Sequence, residues 1–245
     1  MSDMQSRART QRTLPASDFR LAPARLANRL NGECRGGVNL DQIEPTRLLQ
    51  FLNVIRRSRV QILAEYSTPL AFCDALLNGR TSSRIASKAA TLLAGYSSDL
   101  RDYQVASAYA LLMGKHRRKE LSAYFTPPAL TAAAIAAAAP FLARRASPSI
   151  LDPACGGGAF LVPLARALAR AHVPKGARPV RACTKTIEQM QGIELDEGLA
   201  TLSRRLLASM FYEEFGVALG REARSTIRRA DTLITKLDQR FDLVV

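Results

Sequence analysis

The C-terminal half of the chain alternates short apolar segments with longer amphipathic ones, and this alternation constrains the fold more than any other feature. The longer segments repeat leucines at helical spacing, with Leu161, Leu164 and Leu168 on one face of the first. Four short segments have the composition of strands, namely SIL (149–151), MQGIEL (190–195), STIRRAD (225–231) and FDLVV (241–245). Strands that alternate with helices of this length predict a parallel α/β sheet.

The order of these strands in space follows from connection rules. A strand, a crossover helix and a parallel strand almost always form a right-handed unit, and a ligand site in such a sheet lies where the strand order reverses. With SIL as strand 1, these rules predict about four parallel strands in the order 3-2-1-4. The final segment, FDLVV, is predicted to be a buried strand.

The residues before this pattern differ in composition and in predicted secondary structure. Residues 1–40 are rich in Arg, Ser, Asn and Gly and are predicted to form a basic flexible arm. Residues 41–122 are predicted to be helical, because leucines follow Pro45 at helical spacing and two later segments end at Gly79 and Gly114. The domain boundaries predicted are therefore 1–40, 41–122 and 123–245.

The chain is strongly basic. Its 35 Lys and Arg residues exceed its 21 Asp and Glu residues, for a formal net charge of +14. This favours a polyanionic partner such as nucleic acid. An Arg-rich, Ala-rich composition also follows from GC-rich codons, so both explanations stay open. The basic segment KHRRKE (115–120) likewise fits either a phosphate contact or a solvated helix end.

Cysteine usage and hydropathy indicate the compartment. The four cysteines (Cys34, Cys73, Cys155 and Cys183) are scattered, which suggests neither a zinc site nor a disulfide framework. The N-terminus lacks an apolar core, and the alanine-rich stretch broken by Pro140 is too short to span a bilayer. We therefore expect a cytoplasmic protein with no membrane partner and no metal.

A glycine-rich loop follows the first predicted strand. In LDPACGGGAF, the strand delivers Asp152 to its carboxyl end, and Gly156 and Gly158 allow a tight turn into a helix. No Gly-Lys-Ser/Thr follows, so the loop is not a phosphate P-loop. It is not G-x-G-x-x-G either, because Leu161 stands at the third glycine position. A nucleotide-like cofactor would fit beside its bare backbone.

Two more carboxylates end the next two strands. Glu194 lies at the tip of the second strand, where an acidic residue can accept hydrogen bonds from both ribose hydroxyls. Asp231 ends the third and could accept from the exocyclic amino group of an adenine. Asp196 is predicted to be only a helix cap. Acidic residues at three successive strand ends suggest one binding site.

A helix N-terminus upstream completes the set. In SAYFTPPAL, Thr126 is predicted to be the N-cap, with Pro127 and Pro128 in the first helical turn. The free N–H groups and the hydroxyl would suit a carboxylate. An ordinary capped helix would have the same sequence.

Together these motifs resemble the adenine-specific N6 DNA methyltransferases of restriction–modification systems, in the group where a Phe-Thr-Pro-Pro element precedes the glycine loop. The resemblance covers roughly residues 115–245. It implies a Rossmann-like fold that binds S-adenosylmethionine, preceded by a helical region. The residues implied to bind the cofactor are Phe125, Thr126, Asp152, Ala154, Gly156, Gly158, Glu194, Leu195 and Asp231.

In that family the strand similar to FDLVV leads into a glycine and then Asn-Pro-Pro-Tyr/Phe, which is the catalytic motif. The motif is expected just after Val245, so no catalytic residue is assigned and the chain is expected to be the N-terminal portion of an enzyme, inactive by itself. The implied substrate is double-stranded DNA with the target adenine flipped out. A restriction or specificity subunit would be a further partner.

Two other functions remain open. The chain could be an inactive, truncated protein that binds S-adenosylmethionine or nucleic acid. It could also belong to a methyltransferase for RNA or for protein glutamine, since Asn-Pro-Pro-Tyr serves those enzymes too. The early Thr-Pro-Pro element and the long helical region argue against this last alternative.

Overall fold

The structure is a computed structural model, and it describes residues 45–145, 147–173, 179–220 and 225–245. The predicted basic arm at 1–40 lies outside the described residues. Helices fill most of the described N-terminal part, and a parallel sheet with its crossover helices follows.

Six helices precede the Phe-Thr-Pro-Pro element in the described part of the chain. The third helix begins at Pro69, and its N-cap is Thr68, whose side chain accepts a hydrogen bond from Ala71 N at 3.1 Å. Ser83 and Ser97 are the N-caps of the two helices that follow. The helices are α1 (Pro45–Arg57), α2 (Arg59–Tyr66), α3 (Pro69–Leu77), α4 (Arg84–Leu93), α5 (Ser98–Met113) and α6 (Lys115–Glu120).

The second part contains the sheet. Its strands are β1 (Ile150–Asp152), β2 (Met190–Glu194), β3 (Ile227–Arg229) and β4 (Leu243–Val244), and its helices are α7 (Pro128–Leu142), α8 (Leu161–His172), α9 (Val180–Glu188) and α10 (Glu197–Phe215). All three strand pairings are parallel, and the spatial order is β3-β2-β1-β4. The predicted parallel sheet and the order 3-2-1-4 are confirmed.

Strand β4 corrects one prediction. It has only two residues and pairs with β1 alone among the described strands, so it lies at the edge of this sheet. Val244 is 57% exposed, and neither residue of β4 is fully buried. The expectation of a buried strand was therefore wrong for this segment.

The start of α7 corrects another. Pro127, not Thr126, is the N-cap, and the helix begins at Pro128 without a capping hydrogen bond from a side chain. Pro127 is extended (φ −59°, ψ 146°) because the ring of a following proline disfavours the helical conformation. Thr126 therefore lies one residue before the cap.

One hydrophobic core joins the two parts. It runs from Phe51 and Phe72 in the helical region to Leu164 on α8 and Phe211 on α10, all fully buried. Helix α10 packs against α8 and β3 and also against α3 and α5. The helical region therefore packs against the crossover helix α10. Among the described helices, none is long and apolar enough to span a membrane.

Candidate functional site

The loop after β1 turns sharply. Asp152 ends the strand and its Oδ1 accepts a hydrogen bond from Ala154 N at 3.2 Å, so the carboxylate supports its own turn. Gly156 and Gly158 have φ of +52° and +78°, in the left-handed region that side chains disfavour. This explains glycine at both positions, as the sequence predicted.

Side chains from other segments pack closely against the glycine backbone of this loop. A Cβ at Gly156 would lie 3.1 Å from the Phe125 ring, and one at Gly157 would lie 2.7 Å from Cβ of Ala106 on α5. A Cβ at Gly158 would lie 2.8 Å from Ser203 Oγ on α10. The glycines therefore admit close packing of Phe125, α5 and α10, a role that the sequence did not reveal.

Glu194 connects two loops. It is the last residue of β2 and 8% exposed, and its Oε2 accepts from Gly156 N at 2.8 Å. Its Oε1 accepts from Asp196 N, also at 2.8 Å. Each oxygen keeps a further lone pair, so the carboxylate can still accept from a ligand.

Asp196 is the N-cap of α10, as predicted, and it also anchors the helical region. Its Oδ1 accepts from Leu199 N at 3.0 Å and from Tyr109 Oη on α5 at 3.2 Å. Its Oδ2 pairs with Arg117 on α6 at 3.3 Å. A Cβ on Gly198 would lie 1.8 Å from Tyr109 Oη, so glycine is required there for this contact. No spacing in the sequence indicates this partnership.

Asp231 lies two residues beyond β3, at the start of a turn. Its Oδ1 accepts from Leu233 N at 3.0 Å. Its neighbour Thr232 donates a hydrogen bond to the carbonyl of Pro153, which ties this turn to the loop after β1. The link fixes Asp231 beside the carboxyl ends of β1 and β2.

These elements enclose a cleft of about 510 Å³ at the carboxyl edge of the sheet. Its volume falls within the roughly 300–1,000 Å³ typical of small-molecule sites. Six residues predicted to bind the cofactor line it, namely Phe125, Ala154, Gly156, Glu194, Leu195 and Asp231. Tyr124, Leu199 and Leu233 also line the cleft, and the sequence analysis did not single them out.

The other three predicted residues lie elsewhere. Asp152 is 4% exposed and does not line the cleft. Thr126 and Gly158 line a neighbouring cavity of about 80 Å³ formed by residues of α5, α7 and α8. The ring of Phe125 borders both spaces.

Buried ion pairs lie beside this smaller cavity. Arg166 on α8 pairs with Asp99 on α5 and with Glu214 on α10, the latter at 2.9 Å. Asp102 on α5 pairs with Arg101 at 3.0 Å, and burial raises the pKa of Asp102 to about 6 against the opposing charge of Arg101. These contacts join α5 to α8 and α10, and we interpret them as structural.

Burial also changes the carboxyl groups near the cleft. It raises the pKa of Asp152 to about 7; the Ala154 N–H opposes this shift and the charge of Glu194 adds to it. Burial likewise raises the pKa of Glu194, against the hydrogen bonds from the N–H groups of Asp196 and Gly156. Acceptor capacity in the cleft rests instead on the carboxylate lone pairs of Glu194 and Asp231 that these hydrogen bonds leave unused, which suit the hydroxyl and amino groups of a nucleoside.

Nothing in the described part of the chain suggests a metal centre. No group of three or more His, Cys, Asp or Glu residues there could hold an ion. Cys155 is buried in the loop after β1, and burial raises the pKa of its thiol, which disfavours the reactive thiolate.

The pattern that defines the N-6 DNA methylase family matches residues 101–245 of the chain. The match begins within α5, so it includes the helix that contacts Gly157 and Asp196 as well as the sheet. A parallel α/β sheet with an acidic cleft at its carboxyl edge is consistent with a methyltransferase. The chain belongs to the N-6 DNA methylase family. No curated protein and no solved structure gives a significant match.

Proposed function

We propose that the cleft binds S-adenosylmethionine and that the protein acts in N6-methylation of adenine in double-stranded DNA, as part of a restriction–modification system. One observation carries the proposal: Glu194 and Asp231 border the same cleft beside the glycine loop. Membership of the N-6 DNA methylase family supports DNA as the substrate, and it favours this function over methylation of RNA or protein glutamine.

The residues present fit the cofactor. The lone pairs left on Glu194 suit the two ribose hydroxyls, and Oδ2 of Asp231, which accepts no hydrogen bond from the described residues, suits the adenine amino group. Leu195 and Leu233, which are 54% and 95% exposed, offer apolar surface at the rim for the adenine ring. Bound there, the cofactor supplies an activated methyl group, while these residues orient it.

No catalytic residue is assigned. Methyl transfer to adenine requires acceptors that aim the amino nitrogen at the methyl group, and such positioning supplies much of the rate. In the family that the chain resembles, Asn-Pro-Pro-Tyr/Phe does this, and the tetrapeptide does not occur in the 245 residues. We propose that these residues contribute the cofactor site of the reaction.

Calorimetry with S-adenosylmethionine tests the proposal. Glu194→Ala should weaken binding by roughly 1–3 kcal/mol, because two hydrogen bonds to the ribose are lost. Glu188→Ala is the matched control, since Glu188 is exposed on α9 and does not line the cleft.

A thermal melt of each variant shows whether it is folded, because Glu194 also holds Gly156 N and Asp196 N. Equal affinity in a folded Glu194→Ala variant would remove Glu194 from the site. Failure of the unmodified chain to bind the cofactor would refute the proposal.

The alternative is a protein that binds S-adenosylmethionine or nucleic acid without catalysing transfer. Catalysis and simple binding of S-adenosylmethionine both require the cofactor cleft, so calorimetry tests what these two functions share, whereas binding of nucleic acid alone does not depend on it.

A further inference from the structure

A second groove lies in the helical region, apart from the cofactor cleft. It has a volume of about 540 Å³ and is formed by α1, the Ser58 junction and α4. Its lining residues lie outside the matched stretch 101–245 and share none with the cleft. They are Gln50, Asn53, Val54, Arg57, Ser58, Arg84, Ile85, Lys88 and Leu92.

The groove contains cations without counter-charges. Arg57, Arg84 and Lys88 are exposed, and none has a carboxylate partner among the described residues. Neither α1 nor α4 contains an Asp or Glu, and none occurs from 45 to 64 or from 75 to 98. Three like charges bordering one groove repel each other unless an anion is present.

Helix stabilisation does not account for all three. A cation in the last turn of a helix interacts favourably with the helix dipole, which suffices for Arg57 at the end of α1. Arg84 is the first residue of α4, where the dipole disfavours a positive charge. Lys88 lies four residues later, on the same face as Arg84. This pair therefore suggests a ligand.

The polar residues fit a phosphate backbone. Gln50, Asn53 and Ser58 add neutral donors beside the cations, a mixture typical of contacts to the phosphates of DNA. No aromatic side chain lines the groove, whereas proteins that bind single strands stack bases on aromatic rings. The lining therefore favours duplex DNA over a single strand.

We propose that this groove binds the phosphate backbone of duplex DNA, independently of sequence, as a second contact remote from the cofactor cleft. The inference rests on DNA being the substrate, and it does not require the cleft to bind S-adenosylmethionine. It gives the helical region a role in holding DNA.

A salt titration of DNA binding tests the proposal. The full chain is mixed with a fluorescent mixed-sequence duplex, without S-adenosylmethionine, across about 50–200 mM salt. The variant combines Arg57→Gln, Arg84→Gln and Lys88→Gln. The slope of log K against log salt is about −0.9 for each phosphate contact, so the variant should bind more weakly and its slope should be less negative by about 2.7.

A matched control removes three cations elsewhere. Arg144→Gln, Arg181→Gln and Arg240→Gln change three exposed side chains that do not line the groove, and they should leave the slope nearly unchanged. Lys88→Gln alone should make the slope less negative by about 0.9, which provides a milder variant if the triple variant is unstable.

Three results would overturn the proposal. The first is the same loss of slope in the groove variant and the control, which would indicate net charge alone. The second is tighter binding of single-stranded DNA or RNA than of duplex. The third is no binding of duplex by the unmodified chain at the lowest salt. Because the assay contains no cofactor, a failed cofactor experiment leaves its result unaffected.

Discussion

Asp231 illustrates how one carboxylate can select a base. Its Oδ1 is held by Leu233 N at 3.0 Å, which leaves Oδ2 for a ligand. An adenine amino group donates to this oxygen, whereas hypoxanthine presents a carbonyl there and would be repelled. The proposed role of Asp231 therefore predicts that the chain distinguishes S-adenosylhomocysteine from its inosine analogue, which differs from it only at this position of the purine.

Asp231→Asn should reduce this selectivity. The unmodified chain should bind S-adenosylhomocysteine more tightly than its inosine analogue, because the analogue loses a hydrogen bond to the charged Asp231 carboxylate, which is worth about 1.5–3 kcal/mol. Asparagine can donate to the carbonyl of the analogue, so the variant should narrow or invert the preference. Competition calorimetry with both compounds measures it, and unchanged selectivity would separate Asp231 from the adenine.

At the scale of elements, the contact between α5 and α10 depends on Gly198. The Tyr109 hydroxyl reaches Asp196 at 3.2 Å only because no Cβ projects from Gly198. Alanine is otherwise the better helix former, by about 1 kcal/mol. Packing and helix propensity therefore oppose each other at this position.

Gly198→Ala should destabilise the protein, since its Cβ and the Tyr109 hydroxyl cannot both keep their positions. In a Tyr109→Ala background the same substitution should cost nothing or stabilise, because the clash is gone. Urea unfolding of the four proteins gives the coupling free energy. Additive effects would contradict the geometry.

The sequence predicted some elements better than others. The strand order and the caps at Asp196 and Gly114 follow from local patterns and connection rules, and the structure has them. The start of α7 was misplaced because the constraint that Pro128 puts on Pro127 outweighed the capping tendency of Thr126. Helix and strand patterns are local in the sequence, whereas contacts between distant segments are not.

Part of the candidate site lay beyond sequence reasoning for this reason. Glu194 and Asp231 were found from their positions after strands, and both line the cleft. Ala106 and Tyr109 lie in a helix whose sequence carries no chemical motif, yet they contact Gly157 and Asp196. Contacts between distant segments leave no spacing that a single sequence can show.

For the whole molecule, buried carboxyl groups link stability to pH. Asp152 has a pKa of about 7 in the folded protein and about 3.8 as a free side chain. The contribution of protonated Asp152 to the free energy of unfolding is therefore fully present below about pH 4 and is lost as the pH rises through about 7. The buried Asp102, with a pKa of about 6, acts in the same direction.

Asp152→Asn should remove the larger of these contributions. As the pH rises from 4 to 7, the free energy of unfolding of the unmodified chain should fall relative to that of the variant. In this range Asp152 is protonated in the folded chain and releases its proton on unfolding, which a higher pH favours, whereas asparagine has no such proton. Denaturant unfolding at several pH values measures the difference. Asp238→Asn changes an exposed aspartate and serves as control. A constant difference across this range would show that Asp152 is ionised when folded.

The contacts of α5 have a thermodynamic consequence. This helix contacts the loop after β1 through Ala106 and the start of α10 through Tyr109, and both segments border the cleft. A ligand that orders these segments must strengthen the attachment of α5 by the same free energy with which α5 improves the affinity for that ligand. Helix α1, which lines the groove of the helical region, packs directly against α5, so this one helix is in physical contact with the surroundings of both sites.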